Sequence, residues 1–446
     1  MGMRVYYGWK LLAALGLIYF LSIGTVFYGL SVTLPEFVSS LGWSRSEASA
    51  GFSIMTLAMG LSGPLVAYSI GRFGVRPAMV VGGVVAAFGA VNMYFTNDLW
   101  RYYILVAPFL GVGVAMLSIL PGTQLISNWF ARRRALAIGL FMASGGLGRA
   151  LVVPLFALVI DATGSWRLVW LIMAGSTLLC SLLAAWVVRE RPEDMGLAVD
   201  GTRRVAEADT DPKTMGPERK VFRSDRDWPA REALRTPAFW MLIAGSATAV
   251  VGGALVNSQA LLHLQDQGLD VVLAATALGV VGFVSMGGRL VSGALGDHIE
   301  PRILLAFGLV LIGVGLVILN YTNSAFLAYV FAVVFGLGNG LALVTTPAIL
   351  ANFFGSGHYA SIAAVRGIVT TLLSAAVPIG AGWFYDRFDT YGAFFWGYTG
   401  IAALAILSVA MLRPPGGAQR PTSRAGAGAE AAGSAMATTM NPPRTR

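Results

Sequence analysis

Apolar residues run in long blocks along this chain, and polar residues gather in the gaps between the blocks. About 20 apolar residues cross the hydrocarbon core of a bilayer. Read in that window, the chain predicts twelve spanning helices, at 10–35, 46–70, 77–96, 100–127, 134–160, 167–189, 237–264, 271–296, 302–322, 325–350, 358–384 and 390–412. Short turns join neighbours, such as Thr96-Asn97-Asp98 and Asp161-Ala162-Thr163-Gly164. One long polar and charged stretch, 190–236, divides the helices six and six. The expected organisation is a six-helix bundle over 1–189, a linker loop over 190–236, a second six-helix bundle over 237–412, and a tail over 413–446. The tail is rich in Ala, Gly, Pro, Ser and Thr and is expected to lack a packed fold.

Composition excludes the other classes. Of 446 residues 56% are hydrophobic and only 12% are charged, which is too little polar surface to coat a soluble globule. The mean hydropathy is +0.70. A single cysteine, Cys180, rules out a disulfide scaffold, and its apolar surroundings predict a packed thiol. The 55 glycines are too many for a long water-exposed helix but suit close packing in a membrane. No secretory cleavage site follows the first apolar block, so that block is expected to remain as a span.

The net charge of +9 reads as an orientation signal. With the N-terminus in the cytoplasm, Arg4, Lys10, Arg72, Arg76, Arg132 to Arg134 and Arg302 fall inside, and Arg45, Arg101, Arg167 and Arg387 fall outside. Lysine and arginine concentrate on the cytoplasmic side of membrane proteins, so both ends are expected inside, at a bacterial inner membrane. Apart from the cations at 189–235 and in the tail, those left, Arg149, Arg289 and Arg366, fall within predicted spans.

The halves echo each other. Gly63-Pro64-Leu65-Val66 near the end of the second helix corresponds to Gly288-Arg289-Leu290-Val291 near the end of the eighth. Asn128-Trp129-Phe130 closes the fourth helix with Pro154 24 residues later; Asn352-Phe353-Phe354 closes the tenth with Pro378 24 residues later. Repeated bundles joined by a hinge loop are a common transporter plan, with substrate at the midplane between them.

Several motifs support a resemblance. Tyr6-Tyr7-Gly8-Trp9, Leu41-Gly42-Trp43-Ser44-Arg45, the run from Asn128 to Gly139, Arg191-Pro192-Glu193-Asp194-Met195-Gly196-Leu197 and Ala233-Leu234-Arg235-Thr236-Pro237-Ala238-Phe239-Trp240 resemble the major facilitator superfamily. Within it they resemble the bacterial branch related to monocarboxylate transporters and oxalate/formate exchangers, over nearly all of 5–412. The resemblance implies an all-α membrane protein with twelve helices in two pseudo-symmetric bundles, and transport of a small organic carboxylate by rocker-switch alternating access. Efflux of an anionic metabolite or drug is the alternative. It implies a gate near Arg72, Arg76 and Asp297. The chain departs from the family at Gly71, where an Asp is usual, at Phe27 and Tyr28, near which animal relatives carry a lysine, and at Ser285, where those relatives have an acid. The helix-7 histidine of some bacterial relatives falls at Gln259.

Arg289 is the first candidate for substrate. An arginine at helix centre costs about 2.5–3.5 kcal/mol on insertion scales, and its planar fork fits a carboxylate bidentately. In the family, the arginine at this position grips the substrate carboxylate. Ser285 lies one turn earlier on the same face. Arg366, with Thr370 one turn on, forms a polar stripe on the eleventh helix; a gate residue or an inward snorkel is the competing reading. Arg149 follows a ridge of small residues on the fifth helix and suits a substrate with more than one negative charge. Its competing role is a bond to a backbone carbonyl freed by Pro154, which has no N–H. Tyr28, Asn257 and Gln259 complete the candidate set. No acidic residue lies deep in a span. That leaves anion exchange, symport with the proton on the substrate, or a helix-end acid such as Glu36 as relay. Nucleotide-binding, zinc-protease and CxxC signatures are missing. The chain is therefore expected to be no enzyme, to need no metal or cofactor, to bind no nucleic acid and to act as a monomer in the bilayer. Its partners are a small organic anion and a proton or counter-anion.

Overall fold

The computed structural model describes residues 6–130, 133–201, 222, 224, 226–295, 299–355 and 358–415. Among them all regular structure is helical. Eleven helices are long and apolar enough to cross a bilayer, and a bent pair makes a twelfth. They are α1 (Tyr7–Leu41), α2 (Arg45–Leu61 with Gly63–Phe73), α3 (Val75–Tyr94), α4 (Leu99–Trp129), α5 (Arg134–Thr163) and α6 (Trp166–Val187). The second set is α7 (Pro237–Asp266), α8 (Val271–Leu295), α9 (Pro301–Asn320), α10 (Ala325–Phe354), α11 (Tyr359–Phe388) and α12 (Gly392–Ala410).

The helices reach beyond the apolar blocks because caps extend them. Ser44 accepts from the Glu47 amide at 3.2 Å while Glu47 accepts from the Ser44 amide at 2.8 Å, which starts α2 with a capping box. Gly42, at φ +68°, ends α1 in the left-handed region that suits glycine. Three helices are less regular than the apolar blocks predict. The two pieces of α2 meet at 45°, where Ser62 and Pro64 interrupt the block. Segments Ser22–Tyr28 of α1 and Tyr102–Val106 of α4 are π-helical.

Packing repeats with a shift of six helices. In the first half α1 packs on α5 and α6, α2 on α4, and α3 on α4 and α6; in the second, α7 packs on α11 and α12, α8 on α10, and α9 on α10 and α12. The halves meet along two equivalent seams, α2 with α11 and α5 with α8, and α1 touches α7. The start of α1 and the end of α12 lie on one face of this even-numbered set of spans, called here the terminal face. On the opposite face Arg45 pairs with Asp266, and Asp386 accepts from the amides of Arg45 and Ser46 at 3.0 and 2.9 Å. Gly382 brings the backbone of α11 against Arg45 and Ser46 so closely that a Cβ there would lie 2.8 Å from them.

Each half also holds one end of the loop between α6 and α7. Tyr7 donates to the Val187 carbonyl at 2.8 Å, Trp129 to Arg189 at 2.9 Å and Asn128 to Glu190 at 3.1 Å. In the second half the Ser224 amide donates to the Asn352 carbonyl at 2.8 Å and the Trp228 amide to Phe354 at 3.0 Å. The repeated Asn-aromatic-Phe corners therefore do the same job twice. Cys180 is a packed thiol, buried, with Sγ 3.6 Å from the Ile18 carbonyl.

Candidate functional site

The α5–α8 seam runs antiparallel with a legible register. A Cβ on Gly282 would lie 2.8 Å from the Arg149 Cβ, and one on Gly279 would lie 2.7 Å from the Ala150 carbonyl and 2.8 Å from Pro154. Two turns nearer the terminal face, Arg289 Nη1 donates to the Met142 carbonyl at 3.0 Å. Two arginines thus stand on opposite helices and opposite halves of the same seam, each seven residues from the level at which the other is rooted.

Arg149 is only 5% exposed. Its guanidinium carbon lies 5.3 Å from the centre of the Tyr28 ring, within cation–π range. No carboxylate and no backbone carbonyl among the described residues takes its N–H groups. The carbonyl freed by Pro154, Ala150 O, faces Gly279 instead. It is Arg289, not Arg149, that donates to a carbonyl across the halves. Arg149 and Arg289 are like charges on one seam, and the Tyr19 ring lies against Gly145 of α5, where a Cβ would be 2.5 Å from it. A desolvated cation–π contact contributes about 2 kcal/mol against an arginine cost of about 2.5–3.5. Tyr28 alone does not balance the two like charges. Arg289 Nε is buried without a partner.

Arg366 stands elsewhere. It lies on α11, which packs on α2 and α7. Its Nε is also buried without a partner. The Thr370 hydroxyl turns back to the carbonyls of Arg366 and Gly367 at 3.0 and 3.1 Å. Ser285 reaches Asn339 Oδ1 on α10 at 3.5 Å. Asn257 Oδ1 is buried and unpartnered.

Gln259 is fully occupied by protein. Its Nε2 donates to Ser49 Oγ at 2.9 Å and to the Pro378 carbonyl at 3.0 Å, and its Oε1 accepts from the Tyr391 hydroxyl at 2.8 Å. Burial pushes the Tyr391 phenol upward, so it stays protonated, donating to Gln259 while accepting from Arg45 at 3.0 Å. Gln259 therefore supports the Arg45–Asp266 latch and offers no free group to a ligand. Of the expected gate residues, Arg76 donates to the Ala185 carbonyl, Arg72 is exposed, and Asp297 lies outside the described residues.

A cavity of about 370 Å³ between α1 and α5 is lined by Trp9, Leu12, Ala13, Gly16, Leu140, Phe141 and Ser144. All precede Tyr19 and Arg149 on their helices, so it lies on the terminal side of them. A second cavity of about 510 Å³ lies between α7, α11 and α12, and neither cavity has a charged residue in its lining. The spans alone do not reveal Tyr19 or the latch. A tyrosine in an apolar block is the available signal for the first, since its hydroxyl needs a partner or water.

Comparison with known proteins agrees with this architecture. The Major Facilitator Superfamily model matches residues 15–378 and 290–442. Monocarboxylate transporter 2 of Homo sapiens is 24% identical over 408 residues, covering 90% of this chain and 83% of that protein. Monocarboxylate transporter 11 of Homo sapiens is 28% identical over 413 residues, covering 87% and 79%. The crystal structure of a bacterial homolog to the human lysosomal transporter Spinster, inward-facing and unoccupied, is similar in fold. Its TM-score is 0.61 at 18% identity, over 92% of this chain and 95% of that one.

Proposed function

The chain belongs to the major facilitator superfamily, and from that premise we propose that it carries a small organic carboxylate across a bacterial inner membrane by rocker-switch alternating access. One observation carries the reading. Arg289, on the seam between the halves, has one N–H on the Met142 carbonyl, a buried Nε without a partner, and no ion pair with a carboxylate among the described residues. A carboxylate fits the unused edge of that fork. The relatives named above as monocarboxylate transporters are consistent with that chemistry.

The halves supply the movement. The contacts on the opposite face tie α2 to α7 and α11, while the 370 Å³ cavity lies toward the terminal face. The positive-inside rule makes the terminal face cytoplasmic, so this arrangement corresponds to a carrier closed outside. Transport requires the Arg45–Asp266 side to part and the terminal side to close. Arg76, fixed to the end of α6, belongs to the cytoplasmic rim that closes.

Uptake of labelled carboxylates into proteoliposomes tests the reading, with Arg289→Ala beside the wild type. Loss of a charged partner costs about 2–5 kcal/mol, so binding of the best anion is expected to fall by more than tenfold. Unchanged binding in a folded Arg289→Ala protein overturns the assignment.

A further inference from the structure

We propose that the transported anion is a dicarboxylate, and that Arg149 is the anchor of its second carboxylate. The inference rests on the carboxylate reading of Arg289 and deepens it.

The geometry points to two ends and not one. Arg149 is rooted at the level of Gly282, and the Arg289 guanidinium reaches the Met142 carbonyl. Those levels are seven residues apart on both helices, which is roughly 10 Å at the rise of an α-helix. Two forks rooted that far apart suit carboxylates at the ends of a short carbon chain better than a single carboxylate shared by both.

Charge points the same way. Two cations share one seam, and among the described residues neither forms an ion pair with an acid. A monoanion cancels one of them and leaves the other buried beside Tyr28. A dianion cancels both. Gly282 lets α8 approach α5 closely at the root of Arg149, where a Cβ would lie 2.8 Å from the Arg149 Cβ. The bound dianion would then touch α5 of one half and α8 of the other, so it bridges the parts that move.

Competition for binding to the purified full-length carrier tests this. The probes are malonate, succinate and glutarate against propionate and butyrate. The wild type is expected to prefer at least one dicarboxylate by more than about tenfold. Arg149→Leu is expected to remove that preference while retaining monocarboxylate binding, and Arg149→Lys to restore part of it. Monocarboxylates competing as well as every dicarboxylate on the wild type overturns the proposal without any variant. An unaltered dicarboxylate preference in a folded Arg149→Leu protein overturns it too. Arg289→Ala separates the two readings: if it leaves all anion binding intact, the carboxylate site itself is wrong, whereas failure of Arg149→Leu alone removes only the second anchor.

Discussion

Arg45 and Asp266 close the opposite face through a two-pronged ion pair, with Nη1 and Nη2 reaching Oδ2 and Oδ1 at 2.6 and 2.5 Å. The guanidinium also lies 3.6 Å from the Tyr385 ring centre. One residue belongs to α2 and the other to α7, so the pair must part whenever the halves separate on that face.

Asp266→Asn keeps the shape and removes the charge. A hydrogen bond to a charged group is worth about 1.5–3 kcal/mol, and 1.4 kcal/mol is about tenfold in a population. The state open on the opposite face is therefore expected to rise by about one order of magnitude or more. Spin labels at Ser39→Cys and Gln267→Cys, in a Cys180→Ser background, read the distance across that face. A distance distribution that Asp266→Asn does not move would count against the latch.

Gly282→Ala should loosen the α5–α8 seam. The new methyl would meet the Arg149 Cβ at 2.8 Å and the Ala150 amide nitrogen at 2.9 Å. Overpacking of this kind costs about 1–3 kcal/mol. The expected result is a lower unfolding temperature in detergent together with weaker anion binding. Wild-type values for both would show that the seam is not tight at this position.

Gln259→Leu should act on stability and on the latch, not on ligand contact. It strips partners from Ser49 and Tyr391 and leaves them buried. Each unsatisfied group costs about 1–3 kcal/mol. Thermal unfolding should fall by several degrees while the affinity for the anion stays within about twofold. A large loss of affinity with unchanged stability would return Gln259 to the substrate site.

Gly74→Ala probes the terminal rim. Gly74 has φ +94°, and a Cβ there would collide with the Glu190 carboxylate. Residues forced into such backbone regions cost about 1–3 kcal/mol. Slower transport with unchanged anion binding is expected. Normal transport would mean that the Gly74–Glu190 corner does not limit the cycle.

The helices and their internal repeat were legible because a bilayer imposes one apolar length on every span, and the blocks show it directly. Their exact course was not. The bend between Leu61 and Gly63 and the π-helical Ser22–Tyr28 depend on local hydrogen-bond register, which an apolar block does not display. Arg149 and Arg289 stood out as charges in apolar surroundings, but a chain order cannot tell that they share a seam while Arg366 lies on another. Thr370 and Gln259 are a related case. A polar side chain inside a span advertises a need for partners, and in both cases protein groups already meet it. Arg45 and Asp266 sit at helix ends, where charges are ordinary, so only the fold shows them facing each other.

The loop between α6 and α7 is fastened by each half to its own rim, at Trp129 and Asn128 on one side and at Asn352 and Phe354 on the other. In mechanical terms it is a tether with clamped ends. A chain cut between Glu190 and Ser224 would leave each half its own clamp, with the α2–α11 and α5–α8 seams to hold the two together.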